Sequence, residues 1–261
     1  MSIGPPGKTD AGTRPHGIDP TERELRVQLA ACYRIFDHLG WTEMIFNHVT
    51  VRLPGPENHL LINPFGLLYH EVTASNLVRI DLDGKVVEPG DWPVNPAGVI
   101  IHTAIHSSRP DTHCVMHTHT TAGSAVACLR DGLSPDNFYS AQLAGQLAYH
   151  DFEGVTVYPD ECGRLVKNLA DKNIMMLRNH GLLTTGRTIP DAFLRMWLLQ
   201  RACEIQLAAQ SSGQTLTAVT AQAHRRSSAG MRAVQDSGGG AREVFEAMQR
   251  LIERKDPDYR R

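Results

Sequence analysis

Apolar positions along the chain change period several times, and each change marks an element. Between Thr21 and Trp41, residues Leu25, Leu29, Cys32, Tyr33 and Phe36 recur at helical spacing, with Thr21 as N-cap, Glu24 three residues on, and Gly40 as the stop. The period then shortens. NHVTVRLPG and HLLINPFG read as strands separated by Pro54, Gly55, Pro56 and Asn58, and LVRIDLDGKVVEPG reads as a hairpin turning at Asp83-Gly84. At least three antiparallel strands are therefore expected after the first helix.

AGVIIHTAIHSSRPD reads as a short helix ended by Pro110, leading into a strand, HCVMHTHT. GVTVYP is a further short strand and GRLVKNLAD a helical segment. NIMMLRNHGLLTTG is a strand pair broken at Asn179-His180-Gly181. TIPDAFLRMWLLQRACEIQLAAQSSG follows as a long helix with Thr188 as N-cap, and Val244, Met248, Leu251 and Ile252 form an apolar stripe on a last helix.

No internal repeat is visible. The Gly/Pro-rich residues 1–18 are expected to be a disordered tail, and 19–212 the folded domain. The Ser/Gly/Ala-rich stretch 213–242 reads as a flexible linker and 243–261 as a C-terminal helix and tail. The alternation of strands and helices predicts an α/β domain.

Composition narrows the function. With 261 residues, a formal net charge of −2, 41% hydrophobic and 21% charged residues, the chain has no basic footprint for nucleic acid, so a small-molecule ligand is expected. Cys32, Cys114, Cys128, Cys162 and Cys203 are odd in number and form no C-x-x-C pair, which suggests reduced thiols and a cytoplasmic setting. No segment approaches the apolar length of a membrane span, and no partner membrane is expected.

The chemistry gathers in HCVMHTHTTAG. His117 and His119, two residues apart at the end of an apolar strand, should project from one face and make half a metal site. Polar strand-end residues held by backbone hydrogen bonds would give the same pattern, so a third ligand is needed. His180, where the strand Ile174–Leu177 reaches a turn, supplies one, and Gly181 gives that turn backbone freedom. Three neutral imidazoles would leave positions open for substrate, as in a catalytic site. Ten other histidines compete for the role.

The order NHVTVR, INPFG, EVTASNLVRIDLDG, HTAIHSSRPD, MHTHT, NHG and long helix resembles the class II aldolase/adducin family over roughly residues 22–210, and PFGLLYHEVTAS is similar to its adducin branch. The resemblance implies an α/β/α fold with a central, mainly antiparallel sheet. It also implies a homo-oligomer, usually a tetramer with sites at subunit boundaries, and His117, His119 and His180 as ligands of a divalent ion, Zn2+ or Fe2+.

The departures from that family are informative. In its sugar-phosphate aldolases a carboxylate precedes S-R-P-D on the helix; here its place falls on Gly98. The Gly-Asn, Thr-Gly and Ser-Ser pairs that grip phosphate there become Phe46-Asn47, Phe65-Gly66 and Pro96-Ala97. Desolvating a phosphate against aromatic groups without donors is costly, so a pocket lined by Phe46, Asn47, Phe65, Gly66, Ala97 and Gly98 is expected to take a non-phosphorylated substrate. An ion on three histidines still polarises a carbonyl or a 2-hydroxy or 2-oxo acid, which keeps lyase chemistry open.

His102 and His106, at i and i+4 on the helix expected to face the ion, are candidate proton carriers. Glu71 is a candidate nearby carboxylate, with a helix-capping role as the alternative. Tyr259 is a candidate to close a neighbour's site, with tail disorder as the alternative. Three readings follow: a metal-dependent lyase of aldolase or decarboxylase type, a non-haem iron oxygenase acting on an aryl 2-oxo or 2-hydroxy acid, and a non-catalytic scaffold like the adducin head.

Overall fold

The computed structural model describes residues 20–88, 90, 92–154, 159–236 and 240–261. The tail expected at 1–18 and the body of the strand expected at GVTVYP (155–158) lie outside them. The elements run α1 (Pro20–His38), β1 (His48–Arg52), β2 (Leu60–Ile62), β3 (Val78–Ile80), α2 (Pro96–Ser108), β4 (Cys114–Thr118), α3 (Thr121–Ala127) and α4 (Phe138–Gln142). They continue as β5 (Leu147–His150), α5 (Pro159–Leu169), β6 (Ile174–Leu177), β7 (Gly181–Gly186), α6 (Ile189–Gln210), α7 (Ala221–Asp236) and α8 (Ala241–Lys255).

The strands form one sheet in the order β3-β2-β1-β4-β7-β6-β5. Every neighbouring pair is antiparallel except β5 with β6. Side chains alternate across the pleat, so each strand feeds two cores. Val49, Val51, Cys114, Met116, Ile174, Met176 and Leu182 pack with α1, α6 and α8 through Leu29, Phe36, Phe193, Leu199 and Phe245. Val115, Met175, Leu177 and Leu183 point the other way, onto Ile101 and Ile105 of α2 and Leu165 and Leu169 of α5. This is the expected α/β/α arrangement, and the face towards α2 is the one that carries His48, Thr50 and His117.

The local signals behave as their chemistry requires. Asn95 caps α2 by accepting from the Ala97 amide at 3.2 Å, and Thr188 caps α6 by accepting from the Asp191 amide at 3.1 Å. Helix α1 begins at Pro20, which puts Thr21 inside it. The hairpin at Asp83-Gly84 turns with Gly84 at φ 81°, but its return arm makes only an isolated bridge, Ile80 to Val86.

Three differences from the sequence reading have physical causes. The stretch 213–242, expected as a linker, contains α7: its alanines favour helix, its buried Ser228 and half-buried Met231 pack inward, and Asp136 accepts from the Val219 amide at 2.9 Å. The last helix buries Ile252 and packs Met248 on the core as expected, but Phe245 replaces the outward-facing Val244 in the stripe. The expected tail at Tyr259 is ordered as a 3-10 turn, Pro257–Arg260, whose Tyr259 carbonyl accepts from the Ala74 amide at 2.8 Å.

Candidate metal centre

His117 is the fourth residue of β4, and His119 follows the strand by one residue on the same face. His180 sits in the two-strand turn between β6 and β7. That turn is shaped by Asn179, which takes the left-handed conformation at φ 55°. The sequence reading gave Gly181 the backbone freedom; its actual role is close approach, because a Cβ there would lie 2.3 Å from the Thr118 carbonyl oxygen. Helix α3, not foreseen from the sequence, anchors the same turn: Ser124 Oγ donates to the His180 carbonyl at 2.9 Å, and the Asn179 amide donates to Ala127 at 3.1 Å.

The three rings converge. His117 Nε2 lies 2.7 Å from His119 Nε2 and 3.2 Å from His180 Nε2, and the three ligand atoms fall within 4.8 Å of one another. His117 Nδ1 faces the Leu182 carbonyl at 2.8 Å, which can only accept, so that nitrogen carries the proton and Nε2 presents a lone pair. A neighbouring Nε2 must then either turn a proton towards that lone pair or share a cation with it. An ion with bonds of roughly 2.0–2.1 Å in tetrahedral geometry needs its nitrogens roughly 3.3 Å apart; the His117–His180 pair at 3.2 Å meets this, and the His117–His119 pair at 2.7 Å is closer. The donor set therefore fits a divalent first-row ion held by His117, His119 and His180.

Electrostatics favour the ligating form. Burial holds His117 well below the ordinary histidine range and brings His180 down to about 4, with His119 adding to the shift of each. Burial lowers His119 as well, against a smaller upward pull from Glu43. Histidines that stay neutral bind a metal without having to release protons. His117 is buried, while His119 and His180 are part exposed and leave the group open on their side. Phe152, exposed at the surface, lies 6.4 Å from the His180 ring.

The residues expected to line the pocket differ in their surroundings. Phe46 and Phe65 pair with ring centroids 6.4 Å apart, Phe46 remaining exposed. Asn47 is buried in a left-handed conformation at φ 66°, and both polar atoms of its amide are without a hydrogen-bond partner among the described residues. Gly66, at φ 107°, has open space where a Cβ would be, and Ala97 lies in the first turn of α2 beside Gly98.

The expected helpers separate more sharply. His102 and His106 are wholly buried and bonded through one hydroxyl: Thr50 Oγ1 lies 2.7 Å from His102 Nδ1 and 2.9 Å from His106 Nε2. Both are kept from protonating by burial, His106 down to about 3. Neither ring touches the three-histidine group. Glu71 is exposed and accepts from the Leu68 amide at 2.8 Å, the capping role given as its alternative. Tyr259 is ordered, with its ring fully buried in its own chain's core and its hydroxyl donating to Glu253 at 2.5 Å.

Sequence reasoning passed over His48, which pairs in register with His117 across β1 and β4. Its ring lies 5.9 Å from that of His117 and 4.5 Å from that of His102. The alternation in NHVTVR already put His48 on the Thr50 face; only strand pairing puts it beside His117. A cleft of about 790 Å³ lined by Arg23, Thr188 and Arg242 includes none of these histidines.

The α/β/α sheet, at whose strand ends three imidazoles converge, is the class II aldolase fold. The chain belongs to the class II aldolase and adducin family: it matches the family's model, Class II Aldolase and Adducin N-terminal domain, over residues 27–207. It is similar to an aldolase II superfamily protein from Pseudomonas syringae, with 43% identity, a TM-score of 0.90, and coverage of 94% of this chain and 98% of that one. An L-fuculose 1-phosphate aldolase from Glaciozyma antarctica superposes with a TM-score of 0.79 at 28% identity, covering 99% of this chain and 97% of that one. Alpha-adducin of Rattus norvegicus is 45% identical over 192 residues, which are 72% of this chain and 26% of that protein.

Proposed function

We propose that the protein is a metal-dependent lyase of the aldolase or decarboxylase type, acting on a small, non-phosphorylated hydroxy- or oxo-carbonyl substrate. The observation that carries this reading is the convergence of three imidazole nitrogens within 4.8 Å. When bound, a divalent ion, zinc or iron, supplies Lewis acidity that polarises a carbonyl. The chain's residues do the rest. His117, fixed by the Leu182 carbonyl, sets the direction of its lone pair; the Phe46–Phe65 pair presents an apolar rim that offers a phosphate no donor.

The aromatic rim and the glycine at position 98 also favour a second reading, a non-haem iron oxygenase acting on an aryl 2-oxo or 2-hydroxy acid. Similarity to alpha-adducin keeps a scaffold role as the third. Metal content of protein purified anaerobically without a polyhistidine tag separates them. Near-stoichiometric zinc, with turnover lost in His180→Ala, supports the lyase. Near-stoichiometric iron with substrate-dependent oxygen uptake supports the oxygenase. An ion-free protein sinks both and leaves the scaffold.

The setting follows the same reading. All five cysteines are free, which suits a cytoplasmic protein, and no helix among the described residues is long and apolar enough to cross a membrane. Met44, Phe46, Phe138 and Phe152 are exposed on a single copy, which suits a homo-oligomer such as a tetramer.

A further inference from the structure

Phe152 belongs to none of the hydrophobic clusters and is 53% exposed, yet its ring meets the His180 imidazole edge-on, with centroids 6.4 Å apart and an interplanar angle of 73°. Among the described residues it is the one ring other than a histidine paired with the group of three. A single exposed phenyl is ordinary on a protein surface, so the place it occupies carries the argument and the exposure alone does not.

The chain around the phenyl is held on both sides. His150, the last residue of β5, is buried: the Asn168 amide donates to its Nδ1 at 2.9 Å, which leaves the ring proton on Nε2, donated to Glu161 at 3.2 Å. Its carbonyl accepts from the Arg178 amide at 2.8 Å, two residues before His180. The end of β5 is thus tied to the turn that carries His180. Beyond it, Asp151 faces Arg178 at 3.8 Å and Glu153 accepts from Arg164 Nε at 2.8 Å. Such exposed pairs add little stability, but they engage both neighbours of Phe152 with cations and leave the one apolar side chain of the segment at His180.

His117 is buried, whereas His119 and His180 are part exposed, so a ligand joining the ion from solvent comes in on their side, where Phe152 stands. We propose that Phe152 is a specificity-determining residue of this centre: its ring receives the apolar, preferentially aromatic, part of a small ligand whose polar end binds the ion. A phenyl offers no hydrogen bond, so a charged group set against it loses water without gaining a donor, while a second aromatic ring gains a stacked or edge contact. The inference rests on reading His117, His119 and His180 as a metal centre, and it deepens that reading by naming the group that meets the ligand's apolar end.

The test uses the chelated protein reloaded with Co2+, whose visible spectrum reports ligands, titrated with acetohydroxamate and benzohydroxamate, which share a chelating end and differ as methyl and phenyl. Wild type is expected to hold Co2+ and to change its spectrum with both probes. Phe152→Ala is expected to hold Co2+ at the same stoichiometry, to bind acetohydroxamate as wild type does, and to bind benzohydroxamate about 2- to 10-fold more weakly, the worth of one aromatic contact. Phe152→Tyr, which keeps the ring, should keep the wild-type ratio of the two affinities, and Phe152→Leu, which keeps bulk without the ring, should fall between. A ratio that is the same in wild type and Phe152→Ala overturns the inference and leaves the metal centre standing, as does a wild type that takes cobalt and binds neither hydroxamate. Weakening of both probes alike, with loss of oligomer mass in Phe152→Ala, assigns the ring to a subunit contact and overturns the inference as well. A wild type that takes no Co2+ overturns the metal centre first and the inference with it.

Discussion

The molecule holds two sets of three histidines within one sheet face, and they differ in what stands between the rings. In the outer set, His117, His119 and His180, ring nitrogen faces ring nitrogen directly, and two of the three rings are part exposed. In the inner set, His48, His102 and His106, a threonine hydroxyl joins two rings and all three are buried. The same side chain is presented as a candidate metal ligand in one setting and packed away as a buried, neutral group in the other. Residue type does not make a site; the partners of the second ring nitrogen do.

The largest effect that separates the sets comes from His180→Ala. Loss of a ligand should weaken metal retention by more than the roughly 100-fold that outer partners cost, and elemental analysis after dialysis reads it directly. Substituting Thr50→Val should do the reverse. It strands two buried imidazoles and should lower stability by about 2–4 kcal/mol in urea titration, while metal content holds. Loss of metal in Thr50→Val would erase the distinction between the sets.

A smaller effect is graded by pH. His48 and His106 are pushed by burial from 6.5 to about 3, so between those values the unfolded chain binds protons that the folded chain refuses. Stability is then fully present above about pH 6.5 and falls as the pH drops, by about 1.4 kcal/mol per pH unit for each such histidine. Urea midpoints of the chelated protein at pH 7, 6 and 5 should fall in step, and His106→Gln should flatten the slope by about one proton. An unchanged slope would mean that His106 titrates alike in both states. The smallest effect is expected at Tyr259→Phe, which removes the hydroxyl bonded to Glu253. It should cost about 0.5–1.5 kcal/mol and leave metal content and turnover unaltered.

Much of the outer set was legible in the sequence because its signal is local. Period-two spacing put His117 and His119 on one face, and the break Asn179-His180-Gly181 between two apolar runs marked the turn that brings His180 in. The inner set was legible only in part. His102 and His106 were placed on the right helix, but their chemistry depends on Thr50, and Thr50 faces them only because β1 lies beside β4. Strand pairing is a long-range fact that no periodicity encodes, and it is the same fact that hid His48. The short elements α3, α4 and β5, none longer than seven residues, were missed because a run so brief carries less than two helical turns or a few alternations. Helix α7 was missed because serine and glycine in AQAHRRSSAGMRAVQD suggest a linker when the packing against it is invisible.

The ends of the sheet carry a consequence of their own. Among the described residues its edge strands are β3, with three residues, and β5, with four. β3 is flanked by the return arm, where the Val87 amide donates to Arg79 at 3.0 Å, and at β5 the Lys172 ammonium takes the Leu147 carbonyl at 2.9 Å. Amyloid-type growth recruits strands onto long, bare edges, and these two offer it little template. Contacts between copies are therefore expected through helices and loops, and a concentrated solution of the folded protein should resist fibril seeding.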